Sequence, residues 1–273
     1  KHGIKPGLQQ IMEHWQLPDG GRLVDRIERM IRPAVMGGYF RPSFTAIVSG
    51  LQYHLGGERD TAELARLASI NSNDQVLDVC CYVGGPAIQL AESFQCRVTG
   101  VDINENYIVT ARRISELAGL SNLVNYRVAD AVKLPFESGQ FTVVWGQCSW
   151  NHDESWLREL DRVLSLGGRL AFTLEIRGDN SDEHSHNKWK LQDAVGLLQD
   201  LGYRVTQAED ITERDIEIGW KVLDRKLTEE EKEFVAILGI DWVQKAHEDF
   251  AKEIRRMKEG KWGNGRIIAI KVS

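Results

Sequence analysis

Cysteine is scarce in this sequence, and long apolar runs are missing from it. The 273 residues include 4 cysteines, and two of these are neighbours in an apolar segment, which does not indicate a disulfide framework. No apolar run approaches the ~20 residues that a membrane-spanning helix needs, and the first residues lack the apolar segment of a secretory signal. These absences favour a cytoplasmic protein that does not enter a membrane.

Positive charge is in deficit as well. Lysine and arginine number 34 against 40 acidic residues, which gives a net charge of -6. The chain therefore lacks the general positive field with which proteins hold nucleic acid or anionic lipid. No set of histidines, cysteines and carboxylates has the spacing of a structural zinc site. We expect a small-molecule substrate, no nucleic acid partner and no bound metal. The oligomeric state is not predicted, and a homodimer is one alternative.

The hydrophobic pattern divides the chain into two parts. Residues 1–70 have the spacing of amphipathic helices broken by glycine pairs, and we expect them to form a helical lid. From residue 71 to residue 273, apolar strands alternate with helices. Strands are predicted at 75–79, 97–102, 124–129, 141–146, 168–175, 203–208 and 265–272, the last after a Trp-Gly-Asn-Gly turn. Helices are predicted between them at 85–94, 106–118, 153–164 and 187–201.

This alternation predicts an α/β fold with a doubly wound, Rossmann-like and mostly parallel sheet. In such a sheet, ligands bind at the carboxyl ends of the strands. The segment at about 210–258 is highly charged, with apolar residues every three or four positions. That pattern predicts a helical insertion before the last strand, with one buried face.

The stretch QVLDVCCYVGGPA at 75–87 runs from an apolar strand into a glycine pair that opens a helix. The first N–H groups of a helix are unpaired, and glycine lets a ligand approach the backbone closely. Asp102 ends the next strand, one β-α-β unit after Asp78, where a carboxylate accepts hydrogen bonds from ribose hydroxyls. The pattern predicts a site for an adenosine-containing cofactor.

Four segments in the same order resemble those of the class I S-adenosylmethionine-dependent methyltransferases. They are VLDVCCYVGG, VTGVDIN, VADAVKLPFESGQFTVVWGQ and RVLSLGGRLAF. Within that family the chain is similar to the small-molecule group that includes the sarcosine/dimethylglycine and ubiquinone-biosynthesis-type enzymes. The resemblance implies the class I methyltransferase fold, an enzyme that methylates a small molecule, and S-adenosylmethionine as its cofactor.

The resemblance also implies which residues bind the cofactor. They are Asp78, Cys80, Gly84, Asp102, Ile103, Asp130, Ala131 and Gln147. Asp78 would orient the glycine loop or meet the methionine end, and Gly84 would allow close backbone approach. Asp102 would take the ribose hydroxyls, and Asp130 would meet the adenine amino group. For these last two residues, a helix cap or a solvated turn is the alternative.

The sequence departs from the family pattern in the glycine loop itself. Cys80 and Tyr82 stand where the family has its first two glycines. We interpret Tyr82 as a catalytic residue that lines the reaction centre, with its ring or hydroxyl near the substrate or the sulfonium. The alternatives are an unusual donor geometry or a protein that binds the cofactor without catalysis.

The segment CSWNHDESW at 148–156 follows the fourth predicted strand. By resemblance to the dimethylglycine type, His152 is the second predicted catalytic residue, which would orient or deprotonate the acceptor. An unperturbed imidazole has a pKa of ~6.5 and is largely neutral near pH 7. The alternative is a loop histidine that caps the helix beginning near Asp153.

Aromatic side chains are the predicted substrate-binding residues, because aromatic faces attract cations such as protonated amines. The predicted set is Tyr39, Trp150 and Trp220, and Tyr53, Trp156 and Trp189 are further candidates for the pocket wall. Core packing is the alternative for the tryptophans.

A cysteine group offers a different chemistry. If the first and fourth strands are neighbours, three cysteines would lie close together: Cys80, Cys81 and Cys148. Such a group would allow thiolates to bind arsenic or another metalloid. Buried, inert cysteines are the commoner case.

The sequence therefore predicts an S-adenosylmethionine-dependent methyltransferase whose acceptor is an amine nitrogen. Oxygen, carbon and sulfur acceptors and a non-catalytic cofactor-binding regulatory module are the alternatives. An NAD-binding dehydrogenase is a further competitor, against which the irregular glycine loop argues.

Overall fold

The computed structural model describes residues 51–181 and 188–273. Tyr39 and residues 1–50 of the predicted lid lie outside these ranges, so the prediction of a lid remains a prediction. The part of the lid that is described contains helix α1, Gly57–Leu67.

The described residues form a sheet of seven strands. In chain order the strands are β1 Gln75–Val79, β2 Arg97–Asp102, β3 Val124–Val128, β4 Phe141–Gln147, β5 Leu164–Arg177, β6 Tyr203–Asp210 and β7 Trp262–Lys271. In space their order is β3-β2-β1-β4-β5-β7-β6. The first five strands pair in parallel, and β7 is antiparallel to both β5 and β6. The predicted Rossmann-like, mostly parallel sheet is confirmed.

Helices cover both faces of this sheet. They are α2 Gly85–Phe94, α3 Glu105–Leu117, α4 Glu154–Val163 and α5 Leu191–Asp200. The central strand β1 shows why both faces are covered, since Leu77 and Val79 pack into one buried cluster and Val76 packs into the other. Alternate side chains of a strand point to opposite faces, so an apolar strand of this kind needs a layer on each side.

The chain between β6 and β7 is helical, as its charged periodic pattern predicts. It contains α6 Thr212–Asp215, a π-helical turn Ile216–Trp220, α7 Lys221–Glu229, α8 Glu231–Leu238 and α9 Ile240–Lys258. Their apolar faces form a separate buried cluster around Trp220, Phe234 and Phe250. No helix within the described ranges combines the length and the apolar character needed to cross a membrane.

The predicted turn before the last strand is wrong. Trp262 already pairs with Arg177 of β5, and Gly265 pairs with Leu174. The glycines of this segment serve close packing within a strand, because a Cβ at Gly263 would lie 2.1 Å from Thr212 Oγ1. Pairing with β5 along all four residues, and with β6 from Gly265 onward, therefore overrides the turn preference of the Trp-Gly-Asn-Gly sequence.

Candidate functional site

A cavity of about 710 Å³ opens at the carboxyl ends of β1, β2 and β4 and extends to α9 and β7. Its size is typical of sites that bind small molecules. Eight of the predicted site residues line it: Cys80, Tyr82, Asp102, Ile103, Asp130, Ala131, Gln147 and Trp220. Four others in the described part of the chain are not among its lining residues: Asp78, Gly84, Trp150 and His152.

The loop after β1 has the backbone of a glycine loop although two of its residues carry side chains. Cys80 and Tyr82 have φ angles of 56° and 52°, in the left-handed region that glycine adopts most easily. Such a conformation costs roughly 1–2 kcal/mol for a residue with a Cβ. The Tyr82 N–H donates to Asp102 Oδ2 at 3.1 Å, which ties the strained loop to the end of β2.

Tyr82 belongs to an aromatic cluster on the cavity wall. Its ring centroid lies 5.2 Å from that of Tyr53 and 4.8 Å from that of Tyr107. Among the described residues its hydroxyl has no hydrogen-bond partner. Burial raises the pKa of the Tyr82 phenol, so the group stays protonated near neutral pH and is able to donate. A catalytic role for Tyr82 stays a prediction.

Asp102 combines a backbone role with access to the cavity. Besides the Tyr82 contact, its Oδ1 accepts from the Asn104 N–H at 2.9 Å. Burial raises the pKa of Asp102, and the backbone N–H groups of Asn104, Tyr82 and Ile103 oppose that rise. The carboxylate is thus fixed in direction and faces the space where a ribose is predicted. Asp130 makes a turn contact, because its Oδ1 accepts from the Val132 N–H at 3.1 Å.

Asp78 and Gly84 are not exposed to the cavity. Asp78 is buried, and its Oδ2 has no hydrogen-bond partner within the described residues. Burial, together with the nearby Asp102 charge, raises the pKa of Asp78 well above its usual range. Gly84 begins α2 with a φ of 83°, and a Cβ there would lie 2.2 Å from the Tyr126 hydroxyl. The absence of a side chain at Gly84 therefore makes room for the Tyr126 side chain.

Gln147 connects the sheet to helix α1. Its Nε2 donates to Asp60 Oδ2 at 2.7 Å, and its Oε1 accepts from Thr61 Oγ1 at 3.0 Å. His54 joins this network, with Nδ1 3.7 Å from Asp60 Oδ2. Burial lowers the pKa of His54, against the opposing effect of Asp60, so its ring is neutral near pH 7. Sequence reasoning missed His54 and Asp60, since no motif marks them.

Behind this network lies a cluster of buried charges. Arg214 contacts Asp60, Glu63 and Asp215, each at 2.8 Å. Asp60 and Asp215 contact the same guanidinium group, whose single positive charge does not balance two negative carboxylates. Burial and the Asp60 charge raise the pKa of Asp215 to about 7. Asp215 also holds a cavity residue, since Asn264 Nδ2 donates to its Oδ2 at 2.8 Å.

The raised pKa of Asp215 predicts a pH-dependent stability. Between about pH 4, where an unfolded aspartate ionises, and about pH 7, the folded state holds a proton that the unfolded state has lost. The free energy of unfolding should therefore fall as pH rises through this interval, by at most about 1.4 kcal/mol per pH unit. The lowered pKa values of His54 and His152 act in the opposite direction.

Denaturant unfolding from pH 4 to pH 8 measures the free energy of unfolding of the native protein and of Asp215→Asn. The difference between the two pH profiles isolates the contribution of Asp215. We expect the difference in unfolding free energy between native protein and variant to decrease toward high pH. Asp241→Asn, at an exposed position in the first turn of α9, is the matched control and should leave the profile unchanged. Parallel profiles for native protein and Asp215→Asn would show that Asp215 does not titrate in this range.

His152 lies in an aromatic stack away from the cavity lining. Its ring is parallel to that of Trp189, with centroids 4.5 Å apart, and 5.8 Å from the ring of Trp150. Burial lowers the pKa of His152 to about 4, below the unperturbed value assumed from the sequence. His152 does not cap α4, because Asp153 Oδ1 accepts the N–H groups of Ser155 and Trp156. Its predicted catalytic role stays a prediction.

Trp150 and Trp220, both predicted to line the pocket wall, differ from each other in their packing. Trp150 is half-buried and packs against the core, with ring centroids 5.7 Å from Trp156 and 5.5 Å from Phe172, as the packing alternative has it. Trp220 does line the cavity. Its ring meets that of Trp262 edge to face at 6.3 Å, and Trp262 carries no sequence signal that distinguishes it from a core residue.

The cysteines do not form the predicted group. Cys80 and Cys148 line the cavity, whereas Cys81 is buried in the core beside Gly100. Desolvation inside the cavity, together with nearby carboxylates, raises the pKa of Cys80 to about 12 and also raises that of Cys148, so both are thiols near neutral pH. In residues 51–181 and 188–273, no three histidine, cysteine or acidic side chains form a group able to hold a metal ion.

The cavity carries a strongly negative lining. Five carboxylates reach it: Asp102, Asp130, Glu175, Asp249 and Glu253. Its lining residues, within the part of the chain that the structure describes, include no lysine and no arginine. Asp102 and Asp130 were predicted from the sequence as cofactor-binding residues. The other three carboxylates come from β5 and α9, and their sequence does not distinguish them from ordinary surface acids.

Residues 76–168 match the family model described as a methyltransferase domain. Residues 76–168 therefore form a methyltransferase domain, and domains of this kind use S-adenosylmethionine. The methyltransferase GfsG of Streptomyces halstedii is 35% identical over 130 residues, which cover 46% of this chain and 47% of that protein.

Other relatives of the methyltransferase domain cover more of the chain. Phosphoethanolamine N-methyltransferase 1 of Triticum aestivum is 27% identical over 232 residues, which cover 79% of this chain and 45% of that protein. Among solved structures, Haemonchus contortus phosphoethanolamine N-methyltransferase 2 in complex with S-adenosyl-L-methionine has a TM-score of 0.76 at 18% identity. The match covers 93% of this chain and 60% of that one. The chain spans about half the length of these curated relatives.

The donor side of the cavity fits S-adenosylmethionine. Asp102 presents a fixed carboxylate for ribose hydroxyls, and the exposed side chain of Ile103 beside it offers an apolar surface for adenine. Asp130 and Ala131 lie on the same side of the cavity, at the turn that follows β3. The aliphatic and carboxylate groups that an adenosyl group needs are thus present together.

Proposed function

We propose that this methyltransferase domain transfers a methyl group to the amine nitrogen of a small, cationic molecule that carries no phosphate. The observation that supports the proposal is the lining of the cavity, with five carboxylates and no lysine or arginine among its described residues. Unlike charges attract and like charges repel most strongly where water is excluded, so this cavity favours a cation and disfavours an anion.

The donor end would hold the cofactor through Asp102, Ile103, Asp130 and Ala131. S-adenosylmethionine supplies a methyl group bonded to a positively charged sulfur. The residues at this end bind and orient it, and the strained loop at Cys80 and Tyr82 shapes the wall beside it. Because methyl transfer is an in-line displacement, positioning of the acceptor nitrogen can account for much of the rate enhancement.

The acceptor end would bind an ammonium group between aromatic rings and carboxylates. Trp220 and Trp262 form an edge-to-face pair there, and a cation over such a ring is stabilised by about 0.5–2 kcal/mol. Glu175 and Asp249 also line the cavity and add negative charge, while the Glu253 carboxylate is paired with Arg256. Relatives that are named for phosphoethanolamine act on a phosphorylated amine, and this lining supplies no cationic side chain for a phosphate within the described residues.

Matched acceptors that differ by one phosphate test the proposal. Purified protein would be incubated with S-adenosylmethionine carrying a labelled methyl group and with N,N-dimethylethanolamine or its phosphate ester, alongside other small amines. We expect kcat/KM to be at least tenfold higher for the unphosphorylated member of each pair. Preference for the phosphorylated member would overturn the charge argument, and transfer to none of the amines would overturn the proposed function.

A further inference from the structure

Helix α9 presents two carboxylates to the cavity, one helical turn apart. Asp249 and Glu253 are four residues apart, which places them on one face of the helix. Glu253 is occupied, because its Oε2 accepts from Trp262 Nε1 at 3.0 Å and both its oxygens lie 3.2 Å from an Arg256 nitrogen. Asp249 makes no hydrogen bond and no ion pair with any described residue, so its carboxylate is available to a ligand.

The charges around Asp249 favour a proton or a cation. Glu253 lies on the same helix face, and Glu175 lines the same cavity from β5. Burial and the charge of Glu253 raise the pKa of Asp249, while Lys252 on the same helix lowers it. A carboxylate whose pKa is moved toward the working pH is a better proton acceptor than an exposed one.

A second residue of the cavity points to the same kind of ligand. Asn264 is 1% exposed and lines the cavity. Its Nδ2 is held by Asp215, and its Oδ1 has no partner among the described residues. A buried acceptor without a donor costs roughly 1–3 kcal/mol, which an N–H of a bound ammonium group would offset.

We propose that Asp249 is a catalytic residue, which binds the ammonium group of the acceptor and takes the proton that this nitrogen must lose. This inference rests on the proposed function. An N–H bond breaks, its proton passes to the Asp249 carboxylate, and the electron pair stays on nitrogen. The nitrogen then rotates or inverts so that this pair faces the methyl carbon and forms the new N–C bond, while the C–S bond of the donor breaks with its electrons going to sulfur. Solvent afterwards removes the proton from Asp249.

Ammonium binding tests the first half of the inference without any methyl transfer. Calorimetry or NMR titration would use tetramethylammonium as the probe, with the uncharged tert-butanol as its size-matched counterpart. We expect Asp249→Asn to weaken tetramethylammonium binding at least tenfold relative to native protein. Glu248→Gln, an exposed acid next to it on α9, should bind as native protein does. Equal affinity in Asp249→Asn and native protein, or equal binding of the two probes, would overturn the contact.

The pH profile of turnover tests the second half. Below the pKa of the acceptor amine, Asp249→Asn should lower kcat by roughly 10²–10⁴, with unchanged affinity for S-adenosylmethionine. Its rate should recover above that pKa, because the amine then arrives without its proton, and Asp249→Glu should restore part of the activity at lower pH. A native pH profile in Asp249→Asn would overturn the proton transfer. If tetramethylammonium binds through Asp249 but no amine is methylated, the proposed function fails and the ammonium contact stands.

Discussion

Replacing Asp102 by alanine should weaken the binding of S-adenosylmethionine and S-adenosylhomocysteine by about 1.5–3 kcal/mol, which is roughly tenfold to a hundredfold. The carboxylate is held by two backbone N–H groups, at 3.1 and 2.9 Å, and it remains open to the cavity. Loss of Asp102 removes the hydrogen-bond acceptor for the ribose and also releases the Tyr82 N–H. Both effects act at the same site, so the substitution measures them together rather than as separate, additive contributions. Calorimetry measures the change.

A matched control separates cofactor binding from backbone capping. Asp153 also accepts two backbone N–H groups, but it begins α4 and is not among the residues that line the cavity. Asp153→Ala should lower stability, as loss of a helix cap does, and should leave donor affinity unchanged. If Asp102→Ala binds the donor as native protein does, Asp102 has no role at the ribose.

Replacing Gly84 by alanine should destabilise the fold by about 2–5 kcal/mol. The residue has a φ of 83°, and the added Cβ would lie 2.2 Å from the Tyr126 hydroxyl oxygen. The left-handed backbone accounts for roughly 1–2 kcal/mol of the cost, and forcing atoms into a packed core accounts for roughly 1–3 kcal/mol more. Tyr126 has little room to move, because its hydroxyl accepts from Ser115 Oγ at 3.0 Å inside the core. Denaturant unfolding measures the loss.

Gly57→Ala is the control for the backbone effect alone. Its φ is 53° and no atom lies within 4 Å of the position of its Cβ, so it should cost only the backbone strain. Adding Tyr126→Phe to Gly84→Ala removes the nearest atom and should recover part of the lost stability. If Gly84→Ala and Gly57→Ala lower the free energy of unfolding equally, contact with Tyr126 does not contribute to the cost at Gly84.

Local patterns explain which parts of the molecule were predictable. Asp102 is the last residue of β2 and Asp130 comes two residues after β3, so each is placed by an element beside it in the sequence. The period of the apolar residues and the placement of glycine therefore suffice to predict that both residues lie at the carboxyl edge of the sheet, where they line the cavity. The left-handed φ angles at Cys80 and Tyr82 also follow from their position in a loop where glycines are expected, although their side chains give no such signal.

The acceptor end depends on contacts between distant segments. Asp249 lies on a helix whose charged pattern is that of a solvated surface, and tertiary packing of α9 turns one of its polar residues toward the cavity. Tertiary pairing likewise makes a strand of residues 262–265 and brings Asn264 to the cavity. His152 shows the reverse case, since its place after β4 is as predicted but its ring stacks on Trp189. Position along the chain does not fix the direction of a side chain.

Transfer of a ¹³C-labelled methyl group tests the central claim most directly. The protein would be incubated with S-adenosylmethionine labelled at its methyl carbon and with N,N-dimethylethanolamine, and the product would be identified by NMR. We predict a new N-methyl signal whose formation requires the protein and is lost in Asp102→Ala at low donor concentration. A labelled methyl group on oxygen, carbon or sulfur, or no labelled product above the protein-free control, would contradict the account.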